Sequence, residues 1–205
     1  MENIIVEVGL LLDKDLEYYQ EILEKAGAEF VFECETHDKY WTNKNFDELV
    51  NLTENQIKNS CVRLRDSVGV SNYGKSGGNA EVRFENYQIF GKEKVLKVKS
   101  KKKQSIIEKM EKAGWYLIFD TFKRDYQYKI GDMKSRIQLQ EIDNIGLLLY
   151  YDNPDYYNMN EELQRKSLID ELNSYGFDFN YNELGVDKLK TLLTGTTCVS
   201  KNQNG

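Results

Sequence analysis

Period-two alternation recurs so often along this chain that much of it can only be β-sheet. Ile4, Val6, Val8, Leu10 and Leu12 give a first strand one apolar face, with Asn3, Ile5, Glu7, Gly9 and Leu11 on the other. Arg63 and Arg65 flank Leu64, and Lys97, Lys99 and Lys101 alternate with Leu96, Val98 and Ser100. Successive side chains of a strand point to opposite faces. Each of these strands therefore gives its apolar residues to a core and sets its cations about 6.6 Å apart on the other side. Such a face attracts anions.

The same pattern predicts further strands at 29–41, 80–90, 115–129, 134–142 and 146–152, with the arginine strand spanning 60–67 and the lysine strand 93–101. On the 29–41 strand, Glu33, Glu35, His37 and Lys39 share one face and Phe30, Phe32, Cys34 and Thr36 the other. Helices are predicted at 14–25 behind an Asp13 cap, at 104–113 before Gly114, at 158–175 after the single proline, and at 186–193, while 45–58 reads as a short helix and an irregular connection. The glycine-rich stretch 69–79 is expected to be a flexible loop; its Gly74-Lys75-Ser76 lacks both P-loop spacing and a following helical pattern. About eight antiparallel strands with helices after the first and fifth predict an α+β fold, in which the strands close, or nearly close, into a barrel with flanking helices. Closure would turn the cations inward. A single domain is expected over 1–194, followed by a disordered tail at 195–205.

The formal charge of −6 conceals a strong asymmetry. Between Lys58 and Lys103, 12 Lys/Arg stand against 4 Asp/Glu, which leaves 16 basic and 30 acidic residues elsewhere. An acidic chain is a poor ligand for duplex nucleic acid, which demands cations along an extended surface. Cations gathered within an acidic shell suit a small, highly charged anion instead, although Lys101, Lys102 and Lys103 also read as a solvated strand end. Cys34, Cys61 and Cys198 have neither disulfide nor zinc spacing. No apolar run approaches the roughly 20 residues of a membrane helix, and Met1-Glu2-Asn3 lacks the basic start of a signal peptide, so a cytoplasmic protein is expected.

The order of elements and several local motifs resemble the CYTH superfamily of triphosphate-tunnel proteins, which includes class IV adenylyl cyclases and thiamine triphosphatases. The resemblance spans about 3–194 and rests on the opening strand and helix, His37-Asp38-Lys39-Tyr40, Val62-Arg63-Leu64-Arg65, Glu111-Lys112-Ala113-Gly114-Trp115, Lys123–Tyr126, Ile137–Leu148 with Gly146, and Leu184–Leu193. It implies a tunnel in which Arg63 and Arg65 grip phosphate. The family's Glu-x-Glu-x-Lys falls on Ile5, Glu7 and Gly9, its alternating acidic strand on Lys97, Lys99 and Lys101, and its late metal-binding Asp and Glu on Gln140 and Tyr150. Of these carboxylates only Glu7 remains.

The resulting expectation is a binding protein with impaired catalysis and no cofactor, which sequesters or senses a phosphorylated small molecule such as a nucleotide, a nucleotide-derived signal or polyphosphate. Arg63, Arg65, Arg83, Lys97, Lys99, Lys101 and Lys123 would supply the cations, and Glu7 an internal partner for one of them. The alternative is a magnesium-dependent triphosphatase or adenylyl cyclase with Glu7, Glu33 and Glu35 as ligands, helped by Glu81, Glu85, Glu141 and Asp143. His37 beside Glu33 and Glu35 offers a further acid–base or metal grouping, and Tyr126, Tyr128, Tyr150 and Tyr151 could stack a base, though strand aromatics serve the core equally well. Either way the chain would act as a monomer or homodimer, with no duplex nucleic acid or membrane as partner.

Overall fold

Antiparallel pairing joins all strands of the computed structural model, which describes residues 5–71, 82–89, 95–97, 103–180, 185–195 and 199–200, into one sheet. In chain order the elements are β1 (Val8–Leu11), α1 (Leu16–Lys25), β2 (Ala28–Thr42), α2 (Phe46–Leu49), α3 (Glu54–Ser60), β3 (Val62–Ser71), β4 (Val82–Ile89) and β5 (Val95–Lys97). They continue with α4 (Lys103–Lys112), β6 (Tyr116–Ile130), β7 (Ile137–Ile142), β8 (Gly146–Tyr151), a 3-10 turn (Pro154–Tyr156), α5 (Glu161–Ser174), β9 (Gly185–Val186), α6 (Lys188–Thr194) and β10 (Val199–Ser200). The strands lie in the order β10-β9-β1-β8-β7-β6-β2-β3-β4-β5.

The α+β class with flanking helices stands, but two details of the expected barrel do not. The sheet has ten strands, because β9 and β10, two residues each, extend it beyond β1 from sequence with no alternation to announce them. Among the described residues no pairing joins β5 to β10, so hydrogen bonding leaves the sheet open. Val199 and Ser200 pair with β9 inside the segment expected to be a tail, and residues 72–79 of the expected glycine loop fall outside the described residues.

Local chemistry adjusts the helix ends. Asp15 caps α1 by accepting from the Tyr18 amide, whereas Asp13 accepts from the Tyr19 hydroxyl at 2.8 Å and lies 2.7 Å from the Lys14 ammonium. Where a short helix and an irregular connection were expected at 45–58, the structure has two helices. Thr53 and Gln56 form a reciprocal capping box that begins α3 afresh after α2 has ended at Leu49.

The two faces of the sheet carry different cores. On one, Val8, Leu10, Ile137, Leu139, Leu147 and Leu149 pack against Tyr19 and Leu23 of α1 and Leu168, Ile169 and Leu172 of α5. On the other, Tyr40 packs with Leu49, Ile57, Cys61, Leu189 and Leu193, which seats α2, α3 and α6 against one end of that face. Gly9 lies on this second face beside Tyr150, and a Cβ there would come 2.9 Å from the tyrosine ring. The position that the family resemblance gives to a lysine is thus empty of side chain and crossed by an aromatic ring.

Leu149 is fully buried in the larger core. Leu149→Ala should cost about 2–5 kcal/mol and Leu149→Met less than about 1.5 kcal/mol, measured by urea unfolding; equal losses would mean that packing at this site is not what holds α5 to the sheet.

Candidate functional site

Cross-strand pairing gathers the charged residues into rows. Residues directly opposite one another in an antiparallel sheet share a face, so the pairings Thr121–Asp38, Asp38–Arg65, Arg65–Asn86 and Asn86–Lys97 define one row across five strands. The neighbouring row contains Phe119, Tyr40, Arg63 and Gln88. On the same face, Lys123 and Asp125 of β6 meet Gln140 of β7 and, beyond it, Tyr150 of β8. Residues from these separated strands line one cavity of 640 Å³, which requires the sheet to curl around it. Glu54 and Lys58 of α3 and Lys188 of α6 complete the wall, and Glu7 stands exposed at its margin.

An internal ion pair organises the cationic wall. Asp38 is fully buried, and both its oxygens accept from Arg65, Nε and Nη2 each at 2.6 Å. The Nη1 of Arg63 lies 3.9 Å from the same carboxylate. Burial by itself would push the Asp38 pKa up; the hydrogen bonds and charge of Arg65, with Arg63 and Lys123 behind them, hold it below its ordinary value. Lys123, 5% exposed, lies 3.5 Å from Asp125, whose other oxygen accepts from Gln138 at 2.9 Å and also from Gln140. Burial, opposed by Asp125 and assisted by Arg65, lowers the Lys123 pKa.

Lys188 is a cavity residue that the sequence did not reveal. It lies in a Lys-Leu-Lys segment whose pattern resembles any short amphipathic helix. Its ammonium group reaches into the cavity and donates to Gln140 Oε1 at 3.2 Å. Burial and the nearby positive charge of Lys123 lower its pKa to about 7. The carboxylate of Glu54 fixes its position from another helix, accepting the amides of Leu189 at 3.1 Å and Lys190 at 3.0 Å. A side chain of α3 thus serves as N-terminal anchor for α6.

The structure brings some expected site residues together and separates others. Arg63, Arg65, Lys123 and Glu7 line the one cavity. Lys97 and Arg83 are described by backbone pairing alone: Lys97 occupies the row of Arg65, whereas Arg83 pairs with Val68, in the row of Glu35 and Arg124 and one step out of phase with Arg63 and Arg65. The shared parity expected of Arg83 is thereby corrected; the register of the β3–β4 hairpin sets it. Lys99, Lys101 and Glu81 lie outside the described residues. Glu33 and Glu35 do not join Glu7, because they sit on the opposite face, with Glu35 accepting from Arg124 at 2.5 Å and Glu33 lying 3.7 Å from it. His37 shares that face and pairs with Asp120, while Glu141 accepts from Tyr126 at 3.0 Å. Tyr128 accepts from Gln20 Nε2 at 2.6 Å and packs in the larger core with Tyr126 and Tyr151, which leaves Tyr150 as the member of the tyrosine set that lines the cavity.

The residues present do not fit the magnesium centre that the resemblance implies. Magnesium demands an octahedron of oxygen ligands. Here Asp38 gives both oxygens to Arg65, Asp125 faces an ammonium and two amide groups, and Glu54 is committed to the backbone of α6. Among the described residues, no three His, Cys, Asp or Glu side chains gather in a metal-holding group. Nor is any described helix long and apolar enough to cross a membrane.

No protein-family model matches the chain, and no curated protein matches it in sequence. Among solved structures it is similar to the PH1819 protein of Pyrococcus horikoshii OT3, with a TM-score of 0.54 and 16% identity over 93% of this chain and 99% of that one. It is also similar to a proposed adenylate cyclase from Vibrio parahaemolyticus, with a TM-score of 0.48 and 12% identity over 85% and 90% of the two chains. A proposed adenylate cyclase from Bacillus halodurans gives 0.47 and 8% over 87% and 92%. At these identities the likeness is one of fold, and with PH1819 it extends over nearly the whole of both chains.

Replacing Asp38 by Asn would leave Arg65 buried without its counter-charge, so Asp38→Asn should lose about 3–5 kcal/mol at pH 7. The folded-state pKa of Asp38 is lowered, so its contribution is complete above the unfolded value of about 3.9 and is lost as pH falls through the folded value. Unfolding free energies of the two proteins should therefore begin to converge as pH falls below about 4 and go on converging through the lowered folded value; a gap of unchanged size across that range would assign the loss to packing rather than charge.

Proposed function

We propose that this protein binds a phosphorylated small molecule, a nucleotide or a nucleotide-derived signal foremost, in its cationic cavity and sequesters it without turnover. The observation that carries this reading is the convergence of Arg63, Arg65, Lys123 and Lys188 from three separate elements on one cavity. Guanidinium forks and ammonium groups meet phosphate oxygens through charge-assisted hydrogen bonds worth about 1.5–3 kcal/mol each. Immobilisation of the ligand takes back part of the sum. Lys97, in the cross-strand row of Arg65, is assigned to the same ligand, and the sheet is proposed to close further around the bound anion.

The commitment of the cavity carboxylates to arginine, lysine, amide and backbone partners supports binding over metal-assisted bond breaking. Fixed cations take the place that divalent metal holds in phosphoryl transfer. No cofactor enters this reading.

Calorimetric titration with inorganic tripolyphosphate, ATP and a cyclic dinucleotide, in magnesium and in EDTA, tests it. Binding that survives EDTA with no phosphate or pyrophosphate released is the expected result; magnesium-dependent release would replace the sequestering role by a hydrolase or cyclase, and an absence of binding would remove the anion site. Arg63→Ala should weaken the tightest of these ligands by about one to two orders of magnitude, and Lys97→Glu should weaken it as well; full affinity in Lys97→Glu would place that lysine outside the site.

A further inference from the structure

We propose that each anion bound in the cavity brings one proton with it, and that Lys188 Nζ is where the proton is held. The inference rests on the anion-binding reading of the cavity and adds to it a linkage that neither the fold nor the sequence pattern supplies.

The geometry around Lys188 makes the linkage. From the sheet it faces Lys123 and Asp125 on β6, Arg63 and Arg65 on β3, and Asp38 and Tyr40 on β2. From the remaining walls come Glu54 and Lys58 on α3, Tyr150 on β8, Glu7 at the margin, and its own neighbour Asp187. Their charges do not act on it equally. Asp38 and Asp125 are spent on Arg65 and Lys123, and Glu54 on the amides of α6, so the side chain in direct contact with the Lys188 amine is the neutral amide of Gln140. Lys188 is accordingly a half-buried amine facing Arg63, Arg65 and Lys123, and desolvation together with those charges lowers its pKa to about 7. Glu54 holds α6 by two backbone amides, so the amine has no easy retreat to solvent.

An anion placed among Arg63, Arg65 and Lys123 reverses that balance. It supplies the counter-charge that Lys188 lacks and favours the ammonium form, so the amine lone pair takes a proton from a buffer acid as the anion enters. The sign follows. With the pKa depressed to about 7 in the free protein and higher in the complex, affinity is full below about pH 7 and falls as pH rises towards the pKa of the complex. One proton per site sets the limit at about tenfold in affinity for each pH unit.

Trimetaphosphate is the suitable probe, because its own ionisations lie far below neutral pH and contribute no protons. Its binding would be followed by calorimetry at pH 8 in two buffers of different ionisation enthalpy, and its affinity followed from pH 6.5 to 9. The expected result for the natural chain is an enthalpy that depends on the buffer and corresponds to uptake of more than half a proton, with affinity falling about five- to tenfold per pH unit above pH 7.5. Lys188→Arg keeps a cation that cannot titrate in this range; it should bind with no proton uptake and a flat pH profile. Acylation of the natural chain at pH 7 should mark Lys188 ahead of surface lysines, and trimetaphosphate should protect it, which reads the amine even if the variant fails to fold. Binding with no buffer dependence, or uptake unchanged in Lys188→Arg, overturns the proton linkage and leaves anion binding standing. Failure to bind trimetaphosphate, tripolyphosphate or ATP at any pH overturns both.

Discussion

The buried pairing of Asp38 with Arg65 is the interaction on which the arrangement of the cavity depends. A carboxylate with no solvent exposure survives in a protein interior only if its lone pairs are filled, and a two-point guanidinium contact fills them. That contact in turn fixes the Arg65 side chain across the inner face and holds the register of β2 against β3, since a slip of one residue would put the two charges on opposite faces. With Arg65 fixed, Arg63 one row away and Lys123 on the next strand must share the same enclosed space. Their mutual repulsion is contained by Asp38 and Asp125 while the cavity holds no ligand. The site is therefore balanced in charge by its own carboxylates, and an incoming anion competes for cations that already have partners.

The same commitments explain why the cavity suits holding better than cutting. A carboxylate that accepts two hydrogen bonds from arginine has little left to offer a divalent cation, and the amide of Gln140 in contact with Asp125 locks another potential ligand into the wall. Tyr150, lying across Gly9, fills space between β1 and β8 with an aromatic ring. The side chains that line the cavity thus combine positive charge with neutral hydrogen-bonding groups.

Much of the fold was legible because strands and helices leave strong local signatures. The apolar row Val8 and Leu10, the separation of Glu33 and Glu35 from Thr36 on β2, and the helix ahead of Gly114 all follow from periodicity of two or 3.6. The short elements were not legible. Gly185–Val186 pairs with the edge of β1 and Val199–Ser200 with β9 in turn, and two residues cannot carry a pattern. The start of α3 was written in Thr53 and Gln56, a capping signal that the reading of an irregular connection there passes over. Arg63, Arg65 and Lys123 could be placed by parity. Arg83 could not, because parity along one strand says nothing until its register against the next is known.

The sequence by itself determined the class of the fold and the two faces of its strands, because alternation and capping act over a few residues and need no distant partner. Only the tertiary structure decided which charges meet. Asp38 and Arg65 are 27 residues apart, and Lys188 comes within hydrogen-bond reach of Gln140 from 48 residues away. Coulomb interaction depends on separation in space and on the dielectric between the groups, and burial sets both. For that reason a lysine unremarkable in its own helix becomes, once α6 is anchored to Glu54, the amine whose charge depends on what the cavity holds.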